Sequence, residues 1–430
     1  MLDPRAWDQV ADRVSASDLY RTDHRHIFTA IAEVVELGQP PDAVTVGEHL
    51  SKQGRLKEAG GNPYLARIVG NSAGAANIRA YAKIVRDRAM LRRLIEAAGD
   101  IAASAFEPRG REVADLVDEA ERLIFDIADR GQRTGIGFEP VNELIGASLD
   151  RLQELSDRRN DIIGVATGFN DLDTMTAGLQ KGDLVIIAGR PSMGKTALAL
   201  NIAACAAARN RVSTGILSME MSKEQIMFRL IGSMARVNQK SLRTGRLSDA
   251  DWQRITKALD ELNDAPLFID DAPSLKPTEV RARARRLKRE HDLGLFVVDY
   301  LQLMQSEGSN ENRTTEISRI SQSLKSLARE LNVPVIALSQ LNRSVEQRTD
   351  KRPMMSDLRE SGAIEQDADV IIFIYREEFY DKETPEKGLA EIIVSKQRNG
   401  ETGRVRLVFK GEFTRFENYV GEDYGEGVYS

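Results

Sequence analysis

The stretch that most constrains this chain is Gly189-Arg190-Pro191-Ser192-Met193-Gly194-Lys195-Thr196, with an apolar run at 184–188 before it and an alanine-rich run behind it. The pattern G-x-x-x-x-G-K-T between a strand and a helix is a phosphate-binding loop. Gly189 and Gly194 let the backbone curl tightly enough to aim its N–H groups at an anion. A helix opening at Lys195 adds the partial positive charge of its N-terminus. Lys195 is a flexible point charge that can reach the β- and γ-phosphates, and the Thr196 hydroxyl is a hard oxygen suited to Mg²⁺. This pattern implies binding of a nucleoside triphosphate.

Short apolar runs alternate with helical segments through the second half of the chain, at 184–188, 214–217, 267–269, 295–298, 333–338, 370–374, 391–394 and 405–409. Such runs indicate buried, mainly parallel strands of an α/β domain. The last two, with Asn399-Gly400 between them, read as a hairpin at the sheet edge. Residues 1–128 have another texture. Ile27, Phe28, Ile31, Val34 and Val35 recur at helical spacing, as do Ala89, Leu91, Leu94, Ile95 and Ala98. Nothing there has catalytic spacing, so an all-helical docking or assembly module is expected. Residues 129–139 are glycine-rich and read as a flexible linker. After Pro140 comes an amphipathic helix with Val141, Leu144, Ile145, Leu149, Leu152 and Leu155 on one face; it must pack on its own core or on a neighbour. The expected organisation is a helical domain over 1–128, a linker with its amphipathic helix over 129–163, and an α/β domain over 164–430.

A chain of 430 residues is long enough for two or three cores, and 41% apolar with 29% charged residues is the balance of a soluble globular protein. No run approaches the roughly 18 apolar residues of a membrane span, and Met1-Leu2-Asp3-Pro4-Arg5 is not a signal peptide. The single cysteine, Cys205, leaves no internal disulfide, fits a reducing cytoplasm and reads as packing in an alanine-rich helix. His24 and His26 would share a face only in a strand, and their segment reads as helix, so zinc ligation is not expected. The net charge of −6 argues against wholesale coating of nucleic acid but leaves room for a local basic channel.

Several strand ends carry groups that suit phosphate chemistry. Asp299 ends the run 295–298 and would face the phosphate loop, holding Mg²⁺ through water or Thr196. Glu220 follows the run 214–217 and either orients and deprotonates the water attacking a γ-phosphate or is a helix-start carboxylate. Gln340 follows the run 333–338 with both a donor and an acceptor, so it can sense the γ-phosphate. Lys396 and Arg398 flank Gln397 on one face of a strand end; they are either an arginine-finger pair, serving a neighbouring subunit, or solvated charges. The polar segments 305–315 and 342–362 read as long loops, coupled to nucleotide state and suited to gripping a nucleic-acid strand. The arginine-rich run 281–289 reads as a solvated helix face.

By this point the residues resemble a known family. Gly189 to Thr196, Asp299-Tyr300-Leu301-Gln302-Leu303-Met304, Ala337 to Arg343, Asp357-Leu358-Arg359-Glu360-Ser361-Gly362, Glu365 to Asp369 and Lys396 to Gly400 are similar to the bacterial replicative DNA helicases of the DnaB family. Leu2 to Trp7, the segment 24–28 and the segment 88–98 resemble that family's helical N-terminal domain. The resemblance implies a RecA-like ATPase domain and a homohexameric ring on single-stranded DNA that moves 5′ to 3′ by ATP hydrolysis with Mg²⁺. It also implies primase at an N-terminal collar, a helicase loader and the polymerase clamp-loader as partners, in a cytoplasmic, nucleoid-associated setting. Lys195 and Thr196 would bind phosphate and Mg²⁺, Asp299 the same Mg²⁺, and Glu220 would be the catalytic carboxylate. Gln340 would be the γ-phosphate sensor, Lys396 and Arg398 the finger acting in trans, and Arg359, Glu360 and Gly362 the pore contact to DNA. The helix at 141–155 would pack on the adjacent subunit. The family usually carries further sequence before its Leu-Asp motif, so either a shortened N-terminus or a different start is expected. Two rivals use the same phosphate loop: a RecA-like strand-exchange filament, and an ATP-gated scaffold that does no mechanical work.

Overall fold

The computed structural model describes residues 4–71, 77–113, 162–304, 313–358 and 362–420, with scattered positions between 116 and 153. The chain divides into two compact units, residues 1–149 and 150–430.

The described part of the first unit is helical: α1 (Thr22–Glu36), α2 (Ala43–Lys52), α3 (Gly61–Gly70) and α4 (Ile78–Phe106). Ile27, Ala30 and Val34 of α1 meet Val46 and Leu50 of α2 and Leu65 of α3 in one small core, the 3.6-residue period putting each set on one face. Asp42 starts α2 by accepting from Val44 N and Thr45 N, both at 2.8 Å. Arg93 of α4 pairs with Asp18 at 2.6 Å. His24 and His26 lie on α1 as expected, and each has a structural partner, Tyr64 Oη at 2.7 Å and Glu58 at 3.3 Å. The linker 129–139 lies outside the described residues. Of the segment 141–155 only isolated positions are described, all helical.

The second unit is built on one nine-stranded sheet: β1 (Leu184–Gly189), β2 (Thr214–Ser218), β3 (Leu267–Asp270), β4 (Leu295–Asp299), β5 (Val335–Gln340), β6 (Val370–Tyr375), β7 (Leu389–Gln397), β8 (Gly403–Lys410) and β9 (Arg415–Asn418). Their order across the sheet is β3-β2-β4-β5-β1-β6-β7-β8-β9. The first six are parallel, and β7, β8 and β9 add on antiparallel. Helices follow the strands in sequence: α5 (Asn170–Thr176), α6 (Lys195–Ala204), α7 (Lys223–Ala235), α8 (Gln239–Thr244), α9 (Asp249–Asn263), α10 (Pro277–His291), α11 (Arg313–Leu331) and α12 (Gly362–Asp367). The alternation of side chains along β1 explains two cores. Leu184, Ile186 and Ala188 face the core that holds α10 and α11, while Val185 and Ile187 face the core that holds α6 and α7.

Three expectations are corrected in detail. β5 begins at Val335 rather than 333, because Val333 N is used on Ala328 O to close α11 and Pro334 has no N–H to offer. The strand therefore runs two residues further and carries Gln340 at its end. The β7–β8 hairpin is not the sheet edge: β9, a four-residue strand too short to stand out in the sequence, pairs outside it. The segment 342–358 is not a free polar loop. Arg352 makes a bidentate pair with Glu391, Nη2–Oε1 at 2.6 Å and Nε–Oε2 at 3.1 Å; Arg348 meets Asp357 at 2.7 Å; and Val345 and Leu358 are buried. Its polar residues are its scaffold. Residues 305–312 and 359–361, which held the rest of the two expected loops, lie outside the described residues.

Candidate active site

The parallel strands all deliver their carboxyl ends to one edge of the sheet, and the phosphate loop, Glu220, Asp299 and Gln340 collect there. The phosphate loop joins β1 to α6 as expected. Its turn needs left-handed backbone at Ser192 (φ 66°) and Gly194 (φ 103°). A Cβ at Gly194 would lie 2.9 Å from the ring of Phe416, so glycine serves there for space as well as conformation. Lys195 Nζ donates to Gly189 O at 2.9 Å and Arg190 O at 3.3 Å, folded over its own loop. Thr196 Oγ1 donates to Asp299 Oδ2 at 3.0 Å, which places the two expected Mg²⁺ oxygens side by side.

Asp299 is buried at the end of β4, and burial pushes its carboxyl up to about 6 against the pull of the Thr196 hydroxyl, with the charge of Glu220 adding to the rise. Burial likewise pushes Lys195 down to about 8, opposed by the charges of Asp299 and Glu220. A carboxylate and an ammonium that both lack full compensation are poised for a charged ligand. Glu220 itself is exposed, just past β2, where Met219 N donates to Asp299 O at 2.8 Å and binds the two strand ends together. Gln340 sits opposite Gly189 in the β1–β5 register, and its backbone is held by Gln302, which donates to Gln340 O at 3.3 Å and Ser339 Oγ at 3.0 Å.

Lys396 and Arg398 are not at this edge. Lys396 pairs with Ile371, which stands beside Ile186 in the middle of β1, and Arg398 N donates to Asp369 O at 3.0 Å. Ile186 lies three residues before Gly189, and Leu184, beside Asp369, lies five, so about 10 Å of strand separates Lys396 from the phosphate loop and about 16 Å separates Arg398. The two cations converge, Arg398 Nη2 on Gln366 O at 2.8 Å and Lys396 Nζ on Glu365 O at 2.5 Å. Of the expected DNA contacts, Gly362 opens α12, and Arg359 and Glu360 lie outside the described residues. The run 281–289 is a solvated and internally paired face of α10, with Arg283 on Asp270 at 2.5 Å, Lys288 on Asp292 at 2.7 Å, and Arg285 on Glu330.

Three residues of the site carried no role of their own in the sequence reading, Arg190 entering only as one of the eight positions of the nucleotide-binding loop. Arg190 is buried and donates to Glu346 Oε1 at 2.7 Å and Leu341 O at 2.8 Å, tying the loop to the segment after Gln340. Arg376, just past β6, donates to Ser192 O at 3.2 Å and lies 4.1 Å from the centre of the Phe409 ring. Gln302 is the third. Arg376 had a signal of the kind that found Asp299, a polar residue closing an apolar strand; Arg190 occupies a position at which the loop pattern accepts anything.

A parallel sheet with a phosphate loop after its central strand, a buried aspartate bonded to the loop threonine, and a glutamine-tipped neighbouring strand define a RecA-like phosphate-loop ATPase. Residues 164–418 match the model of the DnaB-like helicase C terminal domain, and residues 1–87 match that of the DnaB-like helicase N terminal domain. The chain belongs to the DnaB family of replicative DNA helicases. It is 48% identical to the replicative DNA helicase DnaB of Pasteurella multocida, covering 97% of this chain and 91% of that one. It is 47% identical to the replicative DNA helicase DnaC of Bacillus subtilis, with the same coverage of 97% and 91%. Among solved structures, a DnaB-like replicative helicase studied for its interactions with primase superposes with a TM-score of 0.77 at 32% identity, covering 97% of both chains. The ATPase domain of G40P superposes with a TM-score of 0.63 at 40% identity, covering 66% of this chain and 100% of that one. These relatives do not favour the strand-exchange filament.

Proposed function

We propose that this chain is an ATP-driven replicative helicase that assembles as a homohexameric ring, moves 5′ to 3′ on single-stranded DNA and unwinds the duplex ahead. The observation that carries the ring is the separation of Lys396 and Arg398 from their own phosphate loop: set back from it along the strands and engaged on the carbonyls of Glu365 and Gln366, they serve a neighbour's nucleotide or none. Lys195 binds the β- and γ-phosphates, Glu220 takes a proton from the attacking water, and Gln340 reads the γ-phosphate and reports to the segment pinned by Arg190 and Glu346. Thr196 and Asp299, two hard oxygens 3.0 Å apart with a carboxylate short of counter-charge, fit Mg²⁺ and would hold it. When bound, that ion supplies neutralisation of the phosphate oxygens.

In this reading residues 1–128 form the collar, 129–163 the linker and 164–430 the motor. Val141, Leu149 and Leu152 are 73%, 59% and 62% exposed, which supports packing of the linker helix on an adjacent subunit. Arg359, Glu360 and Gly362 face the DNA backbone in the pore. Primase, a helicase loader and the polymerase clamp-loader are the proposed partners, in a nucleoid-associated cytoplasmic assembly. Among the described residues no helix is long and apolar enough to cross a membrane.

The test is unwinding of a partial duplex with a 5′ or a 3′ single-stranded tail, in ATP and Mg²⁺. Unwinding that requires the 5′ tail is the expected result. Unwinding from the 3′ tail alone overturns the polarity, and DNA-independent ATP turnover without unwinding would favour the scaffold.

A further inference from the structure

The helix that carries the phosphate loop has a second end, and a cavity of about 350 Å³ opens there. α6 continues past Ala204 into a π-helical turn, Cys205–Arg209, an irregularity that often marks a functional position. Small side chains, Ala204, Ala208, Ala235 and Ala258, leave the space. Gly168 closes one wall against Cys205, where a Cβ would come within 2.6 Å of Sγ. The rim is cationic: Arg209 from the π turn, Arg236 from the end of α7, Arg254 and Lys257 from α9, and Arg415 from β9.

These five cations face three carboxylates. Arg236 and Arg415 share Glu417, at 2.8 and 3.0 Å, and Arg254 pairs with Asp251 at 2.5 Å. Glu261 stands on the rim. Among the described residues Arg209 and Lys257 have no hydrogen-bond or ion-pair partner. That differs from the equally basic α10, whose Arg283, Arg285 and Lys288 are each matched by a carboxylate. The rim is also built rather than loose. Arg236 sits in left-handed backbone (φ 51°), and Arg415, half-buried, donates to Ser233 O at 2.7 Å. Ser233 Oγ in turn accepts from Asn201 of α6 at 2.9 Å. A surplus of cations around a polar cavity of this size suits a small ligand with several negative oxygens.

We propose that this cavity is a second anion site, which takes a small polyphosphate such as the phosphate chain of a nucleotide, apart from the phosphate loop. α6 spans about 15 Å between the two. Phe416 links them: it lines the cavity, its N donates to Asn201 Oδ1 at 2.7 Å, and its ring lies against Gly194 of the loop. An anion that draws in Arg415 and Arg209 acts on the strand that carries this ring, so occupancy modulates the phosphate loop from behind.

The experiment compares two full-length proteins by titration calorimetry with inorganic tripolyphosphate at low salt. One is Lys195→Ala, which weakens the phosphate loop; the other adds Arg209→Glu and Lys257→Glu. Both rim residues are exposed and, among the described residues, unpaired, so their reversal leaves the fold intact, as thermal melting of both proteins will check. The expected result is a salt-sensitive site in Lys195→Ala that is about a hundredfold weaker once the rim is reversed. Arg209→Gln with Lys257→Gln gives an intermediate loss. Equal binding by the two proteins, or none by Lys195→Ala, overturns the proposal. A rim reversal that spares tripolyphosphate binding and changes the assembly size in sedimentation gives the cavity to a second copy of the chain, and also overturns it.

Discussion

Arg398 Nη2 donates to the carbonyl oxygen of Gln366 at 2.8 Å, and this bond joins two regions with separate proposed tasks. Gln366 lies in the last turn of α12, where carbonyls lack helical partners and attract cations. The same helix opens at Gly362. Gly362, proposed to meet DNA, and the Glu365 and Gln366 carbonyls that hold Lys396 and Arg398 therefore belong to one short helix.

That arrangement makes Arg398→Ala a poison in mixtures. Each mutant subunit deprives its neighbour, so DNA-stimulated ATPase of rings formed at equal mutant and wild-type ratio is expected on the order of a few per cent of wild type if all six sites must fire in turn. Activity is measured against mutant fraction after subunit exchange. A strictly proportional decline would place the residue's action within its own subunit.

Lys195→Ala should lower ATP turnover about a thousandfold or more, since one point charge on the transferring phosphate is lost. Among the described residues its side chain donates to Gly189 O and Arg190 O alone, so unfolding in urea should change little. Full turnover in this variant would sink the site assignment.

The two shifted groups give a pH profile with a worked sign. Asp299, near 6, must be ionised to hold Mg²⁺, so kcat/KM falls as pH drops through 6; Lys195, near 8, must be charged, so kcat/KM falls again as pH rises through 8. A bell centred near 7 is expected for ATP hydrolysis at fixed free Mg²⁺. A profile flat from pH 5.5 to 8.5 would contradict it.

Gly194→Ala meets two obstacles, a φ of 103° and the Phe416 ring at 2.9 Å. Phe416→Leu in the same chain removes only the second. We expect both variants to lose nucleotide binding, followed with a fluorescent ATP analogue, because left-handed backbone remains forbidden to alanine. Restoration by Phe416→Leu would show that space alone required the glycine.

Glu346→Ala leaves Arg190 buried with one of its two partners gone. A loss of about 1–2 kcal/mol in urea unfolding is expected, at the lower end for a charged hydrogen bond because Glu346 is partly exposed. A rise in the KM for ATP should accompany it, since Arg190 belongs to the loop.

What was legible in the sequence was local. The phosphate loop, the apolar strands and the polar residues at their ends follow from spacing within a few residues, and Asp299, Glu220 and Gln340 come to the loop because every parallel strand delivers its end to the same edge. The helical first unit was legible from period alone. The four residues of β9 carry too little pattern to read, and Arg190 stands where the loop motif is silent. The segment 342–358 looks like a loop because its order comes from ion pairs with residues as far away as Glu391, and such pairing leaves no periodic mark.

The position of Lys396 and Arg398 belongs to tertiary structure alone. Their spacing on one strand was plain, but which sheet edge they occupy depends on β7 running antiparallel to β6, a matter of strand pairing between segments some twenty residues apart. The sequence by itself determined that the chain binds a nucleoside triphosphate, because the loop that does so is eight contiguous residues with its own geometry. Only the packed sheet decided that Lys396 and Arg398, the proposed finger, stand back from their own phosphate loop, because direction and register are settled by long-range hydrogen bonds and by the two cores that clasp the strands.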